Sequence, residues 1–157
     1  MKKVKILGVS WSPKHGNTDI LVQESLKAAA EITGVETVFH SAAKQFFGPC
    51  KACYSCYKGN LDFNNPCSVW DGDGDSMGKI VKLMHEADGI IFGCPVYFYG
   101  VTAQLKAFMD RTMSIECINF PWRNKVMGFV HWRLPLSTRL SALYKHSVSF
   151  SRCLSRL

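Results

Sequence analysis

Four short strand-like runs separated by stretches of helical periodicity constrain this chain's fold more than any other feature. The runs are Val4–Val9, Glu36–Ser41, Gly89–Cys94 and Lys125–His131. The third, Gly89-Ile90-Ile91-Phe92-Gly93-Cys94, contains no charged or polar break and reads as a strand buried on both faces. Between the runs, Thr18–Thr33 reads as a helix with Leu21, Val22, Leu26, Ala29 and Ala30 on one side and Gly34 as its stop. Met77, Ile80, Val81 and Met84 recur at i, i+3, i+4 and i+7, and Val101, Leu105, Phe108 and Met109 mark a further helix. Strands alternating with helices at this spacing imply right-handed crossovers and a parallel α/β sheet covered on both faces. Ligands in such sheets bind beyond the carboxyl ends of the strands, where the strand order reverses. The loops expected there are 10–18, an excursion over 43–74 and 95–100, so three candidate segments converge on one edge.

The excursion holds Cys50, Cys53 and Cys56 at every third position, then Cys67 after ten intervening residues. Three thiols within seven residues must converge locally. A Cys-x2-Cys-x2-Cys loop can wrap three corners of an iron–sulfur cube while a more distant cysteine takes the fourth iron. Structural zinc sites more often use two separated Cys-x2-4-Cys pairs. The spacing favours a [4Fe-4S] cluster over zinc, with ordinary buried cysteines as the remaining alternative. Compartment bears on this choice. The N-terminus runs directly into a strand and no run of about 18 uncharged apolar residues occurs, so neither export nor a membrane span is expected. A cytoplasmic, reducing setting makes seven cysteines metal ligands or free thiols rather than disulfides.

The first loop, Ser10-Trp11-Ser12-Pro13-Lys14-His15-Gly16-Asn17-Thr18, is hydroxyl-rich and opens a helix, where backbone N–H groups and the dipole favour an anion. It lacks both Gly-x-Gly-x-x-Gly and the Gly-Lys-Ser/Thr of a P-loop, which leaves a monophosphate as the best-fitting anion. The alternative is that Asn17 or Thr18 simply caps the helix. The third loop, Pro95-Val96-Tyr97-Phe98-Tyr99-Gly100, sets aromatics and a glycine where a planar ring can lie against backbone. It is equally consistent with core or interface. Together the two loops suggest a mononucleotide with a large flat ring, FMN.

The chain resembles the flavodoxin-fold NADPH-dependent FMN reductase superfamily, and specifically its iron–sulfur flavoprotein branch. The resemblance rests on Ser12-Pro13-Lys14 with Gly16-Asn17-Thr18, the cysteine cluster, Ala87 to Phe98, and Ala103-Gln104-Leu105-Lys106-Ala107-Phe108-Met109-Asp110-Arg111, and it covers about residues 3–113. It implies a flavodoxin-like doubly wound sheet of order 2-1-3-4-5. It also implies that Ser10, Ser12, Lys14, Asn17 and Thr18 hold the FMN phosphate. Pro95, Val96, Tyr97, Phe98, Tyr99 and Gly100 would contact the isoalloxazine, largely through backbone. Cys50, Cys53, Cys56 and Cys67 would hold a [4Fe-4S] cluster near the flavin, although Cys67 closes a longer loop than the family's compact motif. The implied function is electron transfer between cluster and FMN, with a ferredoxin-like donor or NAD(P)H, in a dimer or tetramer. A cluster-free NAD(P)H-dependent flavin or quinone reductase is the alternative. Asp110 and Arg111, at a helix end, read as a structural ion pair and not as catalytic groups, and Cys94 reads as a buried strand residue. Cys117 and Cys153 have no evident partner.

The C-terminal segment departs from this pattern. Residues 1–124 hold 13 of the 19 Lys and Arg and all 12 acidic residues, whereas residues 125–157 hold six basic residues and no acid. The near-neutral body argues against nucleic acid as the partner, despite the net +7, and leaves a zinc-stabilised nucleic-acid module as the weakest reading. The expected organisation is a domain over 1–131, with the cysteine-rich insertion 43–74, and an atypical basic tail over 132–157. A flavodoxin-like sheet needs a fifth strand that the tail does not display. Residues 138–150 fit a basic helix, and a change of reading frame or a truncation near residue 131 is the hypothesis for the shift. An intact frame on resequencing, with an ordered fifth strand in a measured structure, would count against it.

Overall fold

The computed structural model describes residues 3–57, 67, 74–116, 122, 125–132 and 149–152. Among them run β1 (Val4–Ser10), α1 (Asn17–Ala30), β2 (Val35–Ser41), a 3-10 turn (Ser55–Tyr57), α2 (Met77–Glu86), β3 (Gly89–Pro95), α3 (Ala103–Arg111), α4 (Met113–Glu116), β4 (Val126–Trp132) and β5 (Ser149–Arg152). The sheet order is β2-β1-β3-β4-β5. The first four strands are mutually parallel, with Val9 opposite both His40 and Phe92, and Phe92 opposite Phe129. The strand order therefore reverses between β1 and β3.

Strand alternation explains the two layers. Leu7, Val9 and Trp11 share one face with Ile90, Phe92 and Cys94, and pack there with Met77, Ile80, Val81 and Met84 of α2 and Leu105 and Phe108 of α3. The opposite face carries α1, and two glycines let it approach. A Cβ on Gly8 would stand 2.6 Å from Val22 Cγ1, and one on Gly93 would stand 2.2 Å from Val22 Cγ2. Bare backbone on neighbouring strands thus seats α1 with its N-terminus at the carboxyl edge. The helix ends at Ala30, three residues before the expected Thr33. Gly34, at φ +88°, then forms the left-handed turn into β2.

The fifth strand is present and altered: β5 runs antiparallel to β4, with Gly128 opposite Phe150. It occupies the tail's Ser149-Phe150-Ser151-Arg152, and so replaces the last two residues of the expected helix over 138–150. The remainder of that expected helix, Cys117 and Cys153 lie outside the described residues. Among the described residues no helix is long and apolar enough to cross a membrane.

Candidate functional site

Parallel register brings the carboxyl ends of β1, β2 and β3 together, and a set of hydrogen bonds ties the loops that follow them. Trp11 N donates to Gly93 O at 2.7 Å and Ala42 N to Ser10 O at 2.8 Å. Thr102 caps α3 by accepting from Leu105 N, and its hydroxyl donates to Trp11 O at 2.9 Å. Trp11 itself is fully buried against Phe47, Phe92 and Phe108, with ring centroids at 5.3, 6.1 and 4.6 Å. The first loop is anchored in the core rather than draped over it.

Within that loop, Gly16 takes the N-cap position of α1 and supplies no side-chain cap. Neither Asn17 nor Thr18 caps the helix, so its first turn keeps the open N–H groups that suit an anion. A Cβ at Gly16 would meet nothing within 4 Å, so the approach is clear. Lys14 and Asn17 are exposed, and Thr18 is buried. Ser10 and Ser12 are used internally. Ser10 Oγ donates to Asp19 Oδ1 at 2.5 Å, and Ser12 Oγ donates to Lys14 O at 2.6 Å. Asp19, which the sequence reading passed over, also accepts from Ser41 Oγ at 3.3 Å and pairs with His15 Nδ1 at 2.7 Å. The i, i+4 spacing of His15 and Asp19 was the available signal.

The third loop is a tight two-residue hairpin. Tyr97 N donates to Gly100 O and Gly100 N to Tyr97 O, both at 2.9 Å. Phe98 and Tyr99 sit at φ 42° and 62°. That left-handed pair is ordinarily Asn-Gly, and non-glycine residues there cost about 1–3 kcal/mol each. Phe98 is nonetheless 98% exposed, and Tyr99 meets it edge-on at 5.8 Å. Strain is spent on presenting backbone and aromatic rings to the outside. Pro95 and Cys94 are buried beneath, where desolvation pushes the Cys94 thiol up from its ordinary value of 9.0.

The cysteine excursion leaves the same edge and runs along α3. Gln104 Nε2 donates to Gln45 O at 3.2 Å near the start of α3, and Arg111 Nη1 donates to Gly48 O at 3.3 Å at its end. Arg111 also pairs with the buried Asp75 at 2.5 Å, and Asp75 accepts from Gly48 N and Met77 N at 2.8 Å each. This clamp joins the entry and exit of the excursion. Asp110 does not share it, being paired with Lys106, so the expected ion pair at this helix end is two separate pairs. Adjacent helical residues point in different directions, which is why they do not meet.

Cys50, Cys53, Cys56 and Cys67 line one cavity of about 220 Å³, together with Asp110, Arg111, Met113 and Ser114 among others. All four are thiols outside any disulfide. Among the described residues no group of three His, Cys, Asp or Glu is drawn tightly enough to hold one metal ion. A cube distributes its thiolates over four irons and therefore needs them around a cavity, which fits this donor set. Ala52 and Tyr54, on either side of Cys53, adopt φ 49° and 55°. Left-handed residues in a turn point backbone N–H groups into a concavity suited to anionic centres, iron–sulfur sites included. The cavity lies at the far end of α3 from the hairpin. The nine residues of α3 between them make a helix about 13 Å long at 1.5 Å per residue.

The model of a family described as NADPH-dependent FMN reductase matches residues 4–147. An iron-sulfur flavoprotein of Methanocaldococcus jannaschii is 45% identical over 81% of this chain and 61% of its own length. One from Methanosarcina thermophila is 38% identical over 78% of this chain and 60% of its own. The chain thus spans about 60% of the length of these curated relatives. Among solved structures, a flavone reductase aligns with TM-score 0.51 and 25% identity over 69% of this chain and 30% of that one. RosB, solved with a bound formylriboflavin-phosphate intermediate, aligns with TM-score 0.56 over 83% of this chain and 52% of its own, and at 16% identity shows likeness of fold.

Proposed function

Because this chain belongs to the NADPH-dependent FMN reductase family, we propose that it is a flavin-dependent redox protein that passes electrons between a [4Fe-4S] cluster and FMN. The observation that carries the proposal is the convergence of all four expected cysteine ligands on one cavity. The relatives named iron-sulfur flavoproteins support the same assignment. Bound in this fold, FMN would supply one- and two-electron chemistry and the cluster single-electron chemistry. Cys50, Cys53, Cys56 and Cys67 hold the cluster. Lys14, Asn17, Thr18 and the open first turn of α1 hold the phosphate. The hairpin from Pro95 to Gly100 presents backbone to the ring, and Phe98 and Tyr99 shield it from water.

The electron donor is a ferredoxin-like protein, and the working form is a homo-oligomer. The family's description favours one competing reading, a cluster-free reductase fed by NAD(P)H. Substituting Cys53→Ser separates the two. A cluster protein loses iron while still binding FMN, and electron delivery from reduced ferredoxin to the flavin stops. Rapid flavin reduction by NADPH, undisturbed by the substitution, would establish the alternative.

A further inference from the structure

Asp19 places a negative charge at the very helix end that the proposed function assigns to a phosphate. Its carboxylate is buried, 6% exposed, in the first turn of α1. Like charges held near each other oppose binding, so a phosphate site containing this carboxylate needs a cationic or proton-bearing partner beside it. Ser10 and Ser41 donate hydroxyl protons to Asp19 but neutralise nothing. His15 is the group in contact that can carry charge. Its Nδ1 lies 2.7 Å from Asp19 Oδ2, while its side chain remains 65% exposed. A carboxylate only accepts, so Nδ1 carries the hydrogen, and Nε2 is the ring atom left for a ligand. The other charged side chains of this neighbourhood are Lys14 in the same loop and Lys44, whose backbone N donates to Pro13 O at 3.4 Å. Both are exposed cations.

We propose that His15, oriented by Asp19, is a binding residue for the FMN phosphate, in the donor role the sequence had suggested for Ser10. This rests on reading the loop as the phosphate site. One proton bridges Nε2 and a phosphate oxygen, carried by the ring against the dianion or by the phosphate against the neutral ring. Ser10 is unsuited to the role because its hydroxyl proton is already given to Asp19. The Asp19 carboxylate, held by three side chains, serves the imidazole and leaves the first-turn N–H groups to the ligand.

The test is fluorescence titration of the full chain with FMN and with riboflavin, which lacks the phosphate. Wild type is expected to prefer FMN. His15→Ala should weaken FMN binding about tenfold, the value of one charge-assisted hydrogen bond, and leave riboflavin binding unchanged. The 31P resonance of bound FMN should also move in the variant. An unchanged FMN affinity, or equal weakening of both ligands, would overturn the role of His15 while the phosphate loop stands. Wild type binding both flavins equally would instead remove the phosphate site and the proposal with it.

Discussion

At the residue scale, single atoms decide how the site is placed. Gly93 is the clearest case, because any side chain there would collide with Val22 and press on Thr18, whose γ-methyl would lie 3.0 Å from the new Cβ. Gly93→Ala is expected to lower stability by about 1–3 kcal/mol in urea unfolding, the usual cost of overpacking. A variant as stable as wild type would mean that α1 is seated less tightly than described. His40 contributes a pH dependence. It is largely buried beside Gln45, and burial together with the nearby Lys79 charge lowers its affinity for a proton below the ordinary value of 6.5. Below that pH the unfolded chain takes up a proton that the folded chain does not, so stability falls as pH drops through 6.5. His40→Gln should flatten that part of the stability profile, and an unchanged slope would assign it to other groups.

At the element scale, the cysteine excursion and the hairpin carry costs that folding alone does not require. The buried Asp75–Arg111 pair holds both ends of the excursion against α3. Removing one partner of a buried pair costs about 3–5 kcal/mol, so Arg111→Met should show that loss in chemical denaturation and should also release iron faster to a chelator. The hairpin can be relaxed in the opposite direction. Replacing Phe98 and Tyr99 with Asn and Gly, the pair its backbone favours, should stabilise the flavin-free protein by about 1–2 kcal/mol while weakening FMN binding. Stabilisation without any change in FMN affinity would show that the hairpin does not serve the ring.

Much of this architecture is legible in the chain because the relevant signals are local. The apolar period of Met77, Ile80, Val81 and Met84 predicts α2, and the run over Gly89–Cys94 predicts the central β3. The cysteine spacing predicts the thiols around one cavity. What escapes depends on distance or on patterns too short to register. Asp75 and Arg111 are 36 residues apart, and nothing in either neighbourhood announces the other. The four residues of β5 alternate serine with phenylalanine and arginine, too brief a pattern to separate from a basic tail. The position of Ser10 at the end of β1 is legible in the chain, and its hydrogen bond to Asp19 is not.

At the scale of the whole molecule, a parallel sheet reversing between β1 and β3 sets an anion-ready helix end and a strained aromatic hairpin side by side. A thiol-lined cavity lies one helix length away. This division of labour suits the proposed FMN and cluster sites on one small sheet, and the proposal requires both to be occupied together. The most direct measurement is the iron, sulfide and flavin content of the anaerobically reconstituted chain, read with its visible spectrum. Four cysteine thiolates around a cube predict about four irons and one FMN per chain, with cluster absorbance lost in Cys53→Ser. Zinc in place of iron, or a full complement of flavin with no iron from a carefully anaerobic preparation, would contradict it.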